Sequence, residues 1–215
     1  SGRNLGRGIL MAGSWAEPGA HLANVNPPTE QLSIPFEAPE RLLNSWSLSL
    51  FNRLYQAMHR FKPQESLLPY GPFFYPLDSI GHWNKLYGRR GFLEYQCRIP
   101  SGDDASGVIR ELLERVAIAS PKPFLAAIKT FGPLRSSGML SFPRHGHTLV
   151  LDFPNSGSEV FRLLDELDQV VLQCKGGVYP AKDSRMSRTT FQGSFPHWQD
   201  FVPYVDPQFS SSFWR

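Results

Sequence analysis

Apolar and polar positions change period in an ordered way along the second half of the chain. From 92 to 99 they alternate, with Leu93, Tyr95, Cys97 and Ile99 set against Glu94, Gln96 and Arg98, which predicts a strand with one dry side and one polar side. After Pro100, with Asp103 and Asp104 as capping candidates, Val108, Ile109, Leu112, Leu113 and Val116 recur at helical spacing and stop before Pro121. Further strands are predicted over 124–131, 139–142 and 148–153. Val160, Leu164, Leu167 and Val171 then carry a second helix that ends at Gly176-Gly177, and a last strand covers 178–181. The order β-α-β-β(β)-α-β is a split βαβ arrangement of the α+β class. It predicts an antiparallel sheet with helices packed on one face and the other face free to meet a ligand or a second domain.

The first half is less regular. Residues 1–39 are rich in Gly, Pro and Asn, broken at Asn26-Pro27-Pro28 and Ile34-Pro35, and read as an irregular wrapping segment with one short strand near 8–12. Leu43, Trp46, Leu50, Leu54, Met58 and Phe61 recur every three or four residues and predict an amphipathic helix over about 40–60 whose stripe is core. Segment 63–78 is studded with proline and aromatics. A loop carrying Phe73, Phe74 and Tyr75 either lines a pocket for an apolar tail or plugs the core. A short helix over 79–87 follows and stops at Gly88.

Composition narrows the function classes. A chain of 215 residues is long enough for a sizeable core, and its formal net charge of +3 comes with no block of like charges, so nothing asks for nucleic acid. The two cysteines, Cys97 and Cys174, have no CxxC or Cys/His spacing and read as buried thiols of a reducing compartment. His145-Gly146-His147 reads as a turn between strands, with no third ligand for a metal. Serine-nucleophile, P-loop and dinucleotide-fold signatures are missing. No signal peptide or long apolar span is read, and the chain does not open on Met, so a segment of a longer protein is expected, cytoplasmic or peripheral at an inner membrane.

Two places carry candidate chemistry. Lys129 interrupts an otherwise apolar strand, and a buried ammonium costs several kcal/mol without a partner. An anionic neighbour such as Glu94 or Asp152, open water, or an anionic ligand must therefore meet it. The second place is Tyr179-Pro180-Ala181-Lys182-Asp183-Ser184-Arg185, which puts a phenol, an ammonium, a carboxylate and a guanidinium close together behind Gly176-Gly177. Tyr179 and Lys182 fall on opposite sides of a regular strand, so a bend after Pro180 is needed to join them. Its plain reading is a solvated surface turn.

That stretch, from Gly176 through Arg185, resembles the C-terminal signature of FAD-linked oxidases of the vanillyl-alcohol oxidase type, in the branch acting on polyprenylphosphoryl pentoses. Pro76-Leu77-Asp78, Trp83-Asn84, Gly91-Phe92-Leu93-Glu94-Tyr95-Gln96, Lys129-Thr130-Phe131-Gly132-Pro133, Leu140-Ser141-Phe142-Pro143, Leu151-Asp152-Phe153-Pro154 and Asp206-Pro207 follow in the family's order. The resemblance implies a ferredoxin-like substrate-binding (cap) domain over 1–177 and a strip, 178–215, of an FAD-binding domain whose remainder lies outside this chain. It implies oxidation of a secondary sugar hydroxyl by hydride transfer to flavin. Lys182 and Tyr179 would be the catalytic residues beside the flavin, Lys129, Gln96 and Glu94 would hold the substrate, and Lys182, Tyr179 and Arg185 would meet the cofactor. For Asp183 and Arg185 an ion pair that fixes the loop is the default. Implied partners are a small-molecule or lipid-linked sugar, the missing FAD domain and a partner reductase. With no Gly-rich pyrophosphate-binding segment, this chain alone is expected to bind little or no FAD. Glu94 stands where the family usually has Gln, and Phe74-Tyr75-Pro76 lacks the family's His. Two alternatives stay open: an aldonolactone or sugar-alcohol oxidase of the same superfamily, and a stand-alone ligand-binding module with no redox role.

Overall fold

A computed structural model describes residues 9–17, 32–39, 42, 44–61, 63, 65–75, 80–182, 185–211 and 214. Readings that rest on Asn26-Pro27-Pro28, Leu43, Pro76-Leu77-Asp78 or Asp183 lie outside them. The chain forms two compact units, Ser1–Gly91 and Phe92–Arg215.

In the first unit the two-residue strands β1 (Leu32–Ser33) and β2 (Ile80–Gly81) pair in parallel. Helix α1 (Ser45–His59) starts where Asn44 accepts hydrogen bonds from the Trp46 and Ser47 amides while the Ser47 hydroxyl accepts from the Asn44 amide. This reciprocal cap satisfies donors that the first helical turn leaves open. The predicted helix is present, but its stripe is not core. Trp46 is 73% exposed, Met58 62% and Phe61 89%, because periodicity gives a helix an apolar face without supplying what covers it. Helix α2 (Tyr70–Phe74) occupies part of the aromatic loop, and Tyr70, Phe74 and Tyr75 are exposed. The helix expected over 79–87 is instead β2 and a single 3₁₀ helix, Trp83–Tyr87, ended by Gly88 at φ 70°. Residues 9–12 form no strand.

The second unit is the split βαβ arrangement. Strands β3 (Phe92–Pro100), β4 (Leu125–Phe131), β5 (Gly146–Pro154) and β6 (Gly177–Val178) make an antiparallel sheet in the order β4-β5-β3-β6. Helices α3 (Ala105–Ile118) and α4 (Ser158–Gln173) cover one face. The core there joins Tyr95, Cys97 and Ile99 to Leu149, Leu151 and Phe153 of the facing register and to Leu112, Val116, Val160, Leu164, Leu167 and Val171 of the helices. Each fully buried aliphatic side chain in that layer contributes about 1.5–3 kcal/mol. Asp104 stands at the N-cap of α3, yet its side chain makes no capping bond.

Three predicted elements differ. Residues 139–142 form a turn, with the Ser141 amide donating to the Gly138 carbonyl ahead of Pro143, so the connection from β4 to β5 holds no strand. The last strand stops at Val178, and the chain turns over Pro180 to Lys182, whose amide donates to the Tyr179 carbonyl. The aromatic tail from Phe195 to Arg215, which the sequence reads as irregular, contains α6 (Trp198–Phe201) and follows α5 (Arg188–Ser194), with Trp214 edge-on to both Phe191 and Phe201. Ser194 of α5 accepts a hydrogen bond from the Val178 amide, so α5 holds β6 in place. Gly177-Val178, where the two expected segments meet, is thus itself a strand of the sheet. Among the described residues no helix is long and apolar enough to cross a membrane.

Both cysteines are free thiols. Cys97 is fully buried, and burial pushes its thiol from 9.0 up to about 12; burial also raises Cys174, whose Sγ donates to the Val171 carbonyl. Thiolate is the reactive form, so a rise of that size lowers the reactive fraction of Cys97 about a thousandfold. Under native conditions at pH 8 a disulfide-exchange reagent is expected to leave Cys97 untouched for hours and to react with both thiols once denaturant is added. Rapid native labelling of Cys97 would contradict the buried position.

Candidate functional site

The face of the sheet away from α3 and α4 carries the predicted site residues in three rows. Lys129, Thr148, Arg98 and Gly177 are register partners in the first; Ala127, Val150 and Gln96 form the second; Leu125, Asp152 and Glu94 form the third. The chain after β6 extends the second row, because the Tyr179 amide donates to the Gln96 carbonyl at 2.8 Å. Alternation of side chains then puts Tyr179 on this face, with Val178 on the helix side.

The turn after Pro180 swings Lys182 back over the sheet. Its Nζ lies 3.1 Å from Glu94 Oε2, an ion pair linking residues 88 apart in sequence, with side chains 38% and 25% exposed. The ring of Tyr179 stacks on Phe142, centroids 4.5 Å apart, and Phe142 meets Phe131 of β4 edge-on at 6.2 Å. Phe142 therefore spans this face from one edge to the other. It explains why a polar side expected to look outward is largely dry: Gln96 is 7% exposed, Arg98 4% and Thr148 fully buried. Gln96 meets the burial cost by donating from Nε2 to the Thr148 hydroxyl (3.1 Å), which in turn donates to the Cys97 carbonyl (2.8 Å). Lys129 is exposed and has no ion-pair partner among the described residues, so water meets its ammonium.

Arg185 lies elsewhere. Its guanidinium pairs with Asp165 (2.7 Å) and Asp168 (3.0 Å) of α4 and stands 5.9 Å from the ring of Tyr95, a residue of the helix-covered face. The structure brings Lys182, Glu94, Gln96, Tyr179 and Lys129 to one face and leaves Arg185 on the other. Asp168 also accepts from the Thr190 hydroxyl, so this cluster ties α4 to α5.

Sequence reasoning missed Thr148 and Phe142. Thr148 was within reach, since it shares its face with Val150 and Asp152 by the same alternation that singled out Gln96. Phe142 was hidden by its false assignment to a strand. His147 belongs to β5, with Nδ1 3.3 Å from the Thr130 hydroxyl, and among the described residues no three His, Cys, Asp or Glu side chains could hold a metal.

On a face that also carries a stacked phenol, an ammonium held by a carboxylate can donate to an oxygen that gains negative charge, while the carboxylate can accept a proton nearby. The chain is 31% identical over 182 residues to the decaprenylphosphoryl-beta-D-ribose oxidase of Mycolicibacterium smegmatis, a match covering 82% of this chain and 38% of that protein. It is 29% identical over 213 residues to an uncharacterized protein in the mprA 5' region of Streptomyces coelicolor, covering 93% of this chain and 56% of that one. No family profile matches. The resemblance read from the motifs is thus accompanied by similarity to an oxidase along most of the chain, while the chain spans between about two fifths and somewhat over half of these relatives.

Proposed function

We propose that this chain is the substrate-binding part of an FAD-dependent oxidoreductase that oxidises a secondary hydroxyl of a sugar, with a polyprenylphosphoryl pentose, 2'-hydroxyl to ketone, as the substrate class. One observation carries the proposal: the turn after Pro180 delivers Lys182 onto Glu94, on the sheet face that also holds Gln96, Tyr179 and Lys129. Similarity to an oxidase of a polyprenyl-linked ribose supports the same reading.

When bound, the flavin would accept the hydride from the carbinol carbon. The remaining work belongs to the protein. Loss of hydride leaves a hydroxyl proton to be taken up, and the Glu94 carboxylate is the nearest anionic acceptor to Lys182. Lys182 orients Glu94 through their ion pair and offers N–H donors to whatever oxygen or nitrogen gains electrons. The ring of Tyr179, held by its stack on the buried Phe142, gives a sugar ring or the cofactor an aromatic wall, and Lys129 offers a cation at the exposed edge. A half-exposed ammonium and an aromatic wall suit the edge of a flavin. The pyrophosphate cradle would have to come from a flavin domain outside this chain, which is the partner this reading requires.

Helix α1 supports a location at a membrane surface, where a lipid-linked sugar would be met. Its exposed Trp46, Phe51, Leu54 and Met58 lie alongside Arg53 and Arg60, with no acidic residue in the helix.

The test is anaerobic mixing of the full-length, flavin-loaded protein with polyprenylphosphoryl ribose. Bleaching of the flavin's visible absorption and formation of the 2'-ketone are expected. Full-length protein that carries no flavin, or whose flavin stays oxidised with every sugar and sugar alcohol tried, would overturn the proposal.

A further inference from the structure

A second group of polar side chains lies at the far end of β3 from Glu94 and takes no part in the chemistry above. Arg98 is 4% exposed, on the same face as Gln96, and its Nε is fully buried without a hydrogen-bond partner. Among the described residues no carboxylate pairs with its guanidinium. Burying an uncompensated cation is expensive, and the strain registers in its titration, since burial and then the charge of Arg144 push the Arg98 guanidinium down to about 10. The chain makes room for this side chain, because a methyl group at Gly177 would stand 2.7 Å from Arg98 Nη2. A buried cation with space cleared for it, set near a second cation in place of an anion, lacks a counter-charge.

Arg144 lines a cavity of about 610 Å³ formed by the β4–β5 connection, together with Arg135, Ser136, Ser141, His145 and His197. No carboxylate lines it. Asp200 bonds His197 Nδ1 at 3.0 Å, which offsets that imidazole and leaves the arginines unbalanced. Arg144 and Arg135 have no ion-pair partner among the described residues. The connection ends beside the end of β3, where the Ser101 amide donates to the His145 carbonyl, so cavity and buried guanidinium are neighbours.

We infer that this cavity is an oxyanion site for the phosphate group of a small organic phosphate ester, bound directly by Arg144 with the Ser136 and Ser141 hydroxyls and stabilised from behind by Arg98. Guanidinium forks and hydroxyl donors match phosphate oxygens in geometry as well as charge. The volume falls in the range of small-molecule sites and exceeds what phosphate alone would fill, so the group is carried on a larger molecule. The site stands apart from the ion pair of Lys182, because Glu94 and Arg98 are four residues apart along one strand, about 13 Å.

Inorganic phosphate is the probe. The full-length protein is titrated at constant ionic strength, and binding is read from phosphorus NMR line width and from melting temperature. Saturable binding is expected, weakened about tenfold or more in both Arg144→Gln and Arg98→Met and less in Arg98→Lys, since each loses or keeps a charge-assisted contact. Should Arg98→Met fail to fold, Arg144→Gln, changed at a half-buried position, decides alone. Lys182→Ala should bind phosphate as the wild type does, which separates this site from the proposed oxidation. Overturning results are three: no saturable response, equal affinity in wild type and Arg144→Gln, or an equal effect from chloride at matched ionic strength.

Discussion

Lys182→Ala in the full-length protein is expected to slow reduction of the flavin by substrate on the order of 100- to 1,000-fold, the usual loss when one preorganised donor to developing charge is removed. The folded state should hardly notice. Lys182 and Glu94 are 38% and 25% exposed, and pairs this open to solvent are worth about 1 kcal/mol or less. A large kinetic effect with little change in urea midpoint separates a catalytic ammonium from a brace between the turn and β3. Glu94→Gln sharpens the distinction. It keeps a hydrogen-bond acceptor at the same place but removes the group that can take up the proton, so it should slow flavin reduction markedly and leave stability within about 0.5 kcal/mol. An unchanged reduction rate in Lys182→Ala removes Lys182 from the mechanism. A fall in stability as large as the fall in rate assigns it a structural role instead.

How much of this could be read in advance follows from what each signal measures. The α4 stripe of Val160, Leu164, Leu167 and Val171 is fully buried, and the β3 alternation sorts its side chains as expected, because in both a single period is imposed by one packed face. The same logic failed for α1, whose stripe is as regular but stays exposed. It failed also at 139–142, where four residues containing Met, Leu and Phe imitate a strand while Gly138 and Pro143 at their ends favour a turn. For the candidate site, alternation placed Glu94 and Gln96 on one face. That Lys182 reaches this face depends on the turn after Pro180, and that Arg185 does not depends on two aspartates of α4. Neither is a periodic property. Long-range ion pairs leave no spacing in the sequence, and only the folded chain shows that Lys182 and Arg185, three residues apart, serve opposite sides of the sheet.

The Arg185 cluster yields the largest effect on stability. Asp168 is 2% exposed and accepts from Arg185 Nη2 (3.0 Å), Arg185 Nη1 (3.3 Å) and the Thr190 hydroxyl (3.3 Å). Asp168→Ala removes those acceptors from a guanidinium that is itself only 11% exposed, and should cost about 3–5 kcal/mol of unfolding free energy. Asp165→Ala should cost under about 1 kcal/mol, since that side chain is 70% exposed. Asp168→Asn keeps an acceptor and should fall between them. Its dependence on pH tells which force dominates. Burial raises the Asp168 carboxyl above its ordinary 3.8, against the opposing pull of hydrogen bonds and charge from Arg185. The folded protein therefore holds this proton more tightly than the unfolded chain does. Its contribution to stability is complete below 3.8 and is lost as pH rises through the raised value. Asn does not titrate, so the margin of wild type over Asp168→Asn should be widest in acid and should narrow as pH climbs through that window, as measured by urea unfolding at a series of pH values. A margin that widens instead would mean that attraction to Arg185 outweighs the cost of burial, and that the carboxylate is held as a net favourable charge.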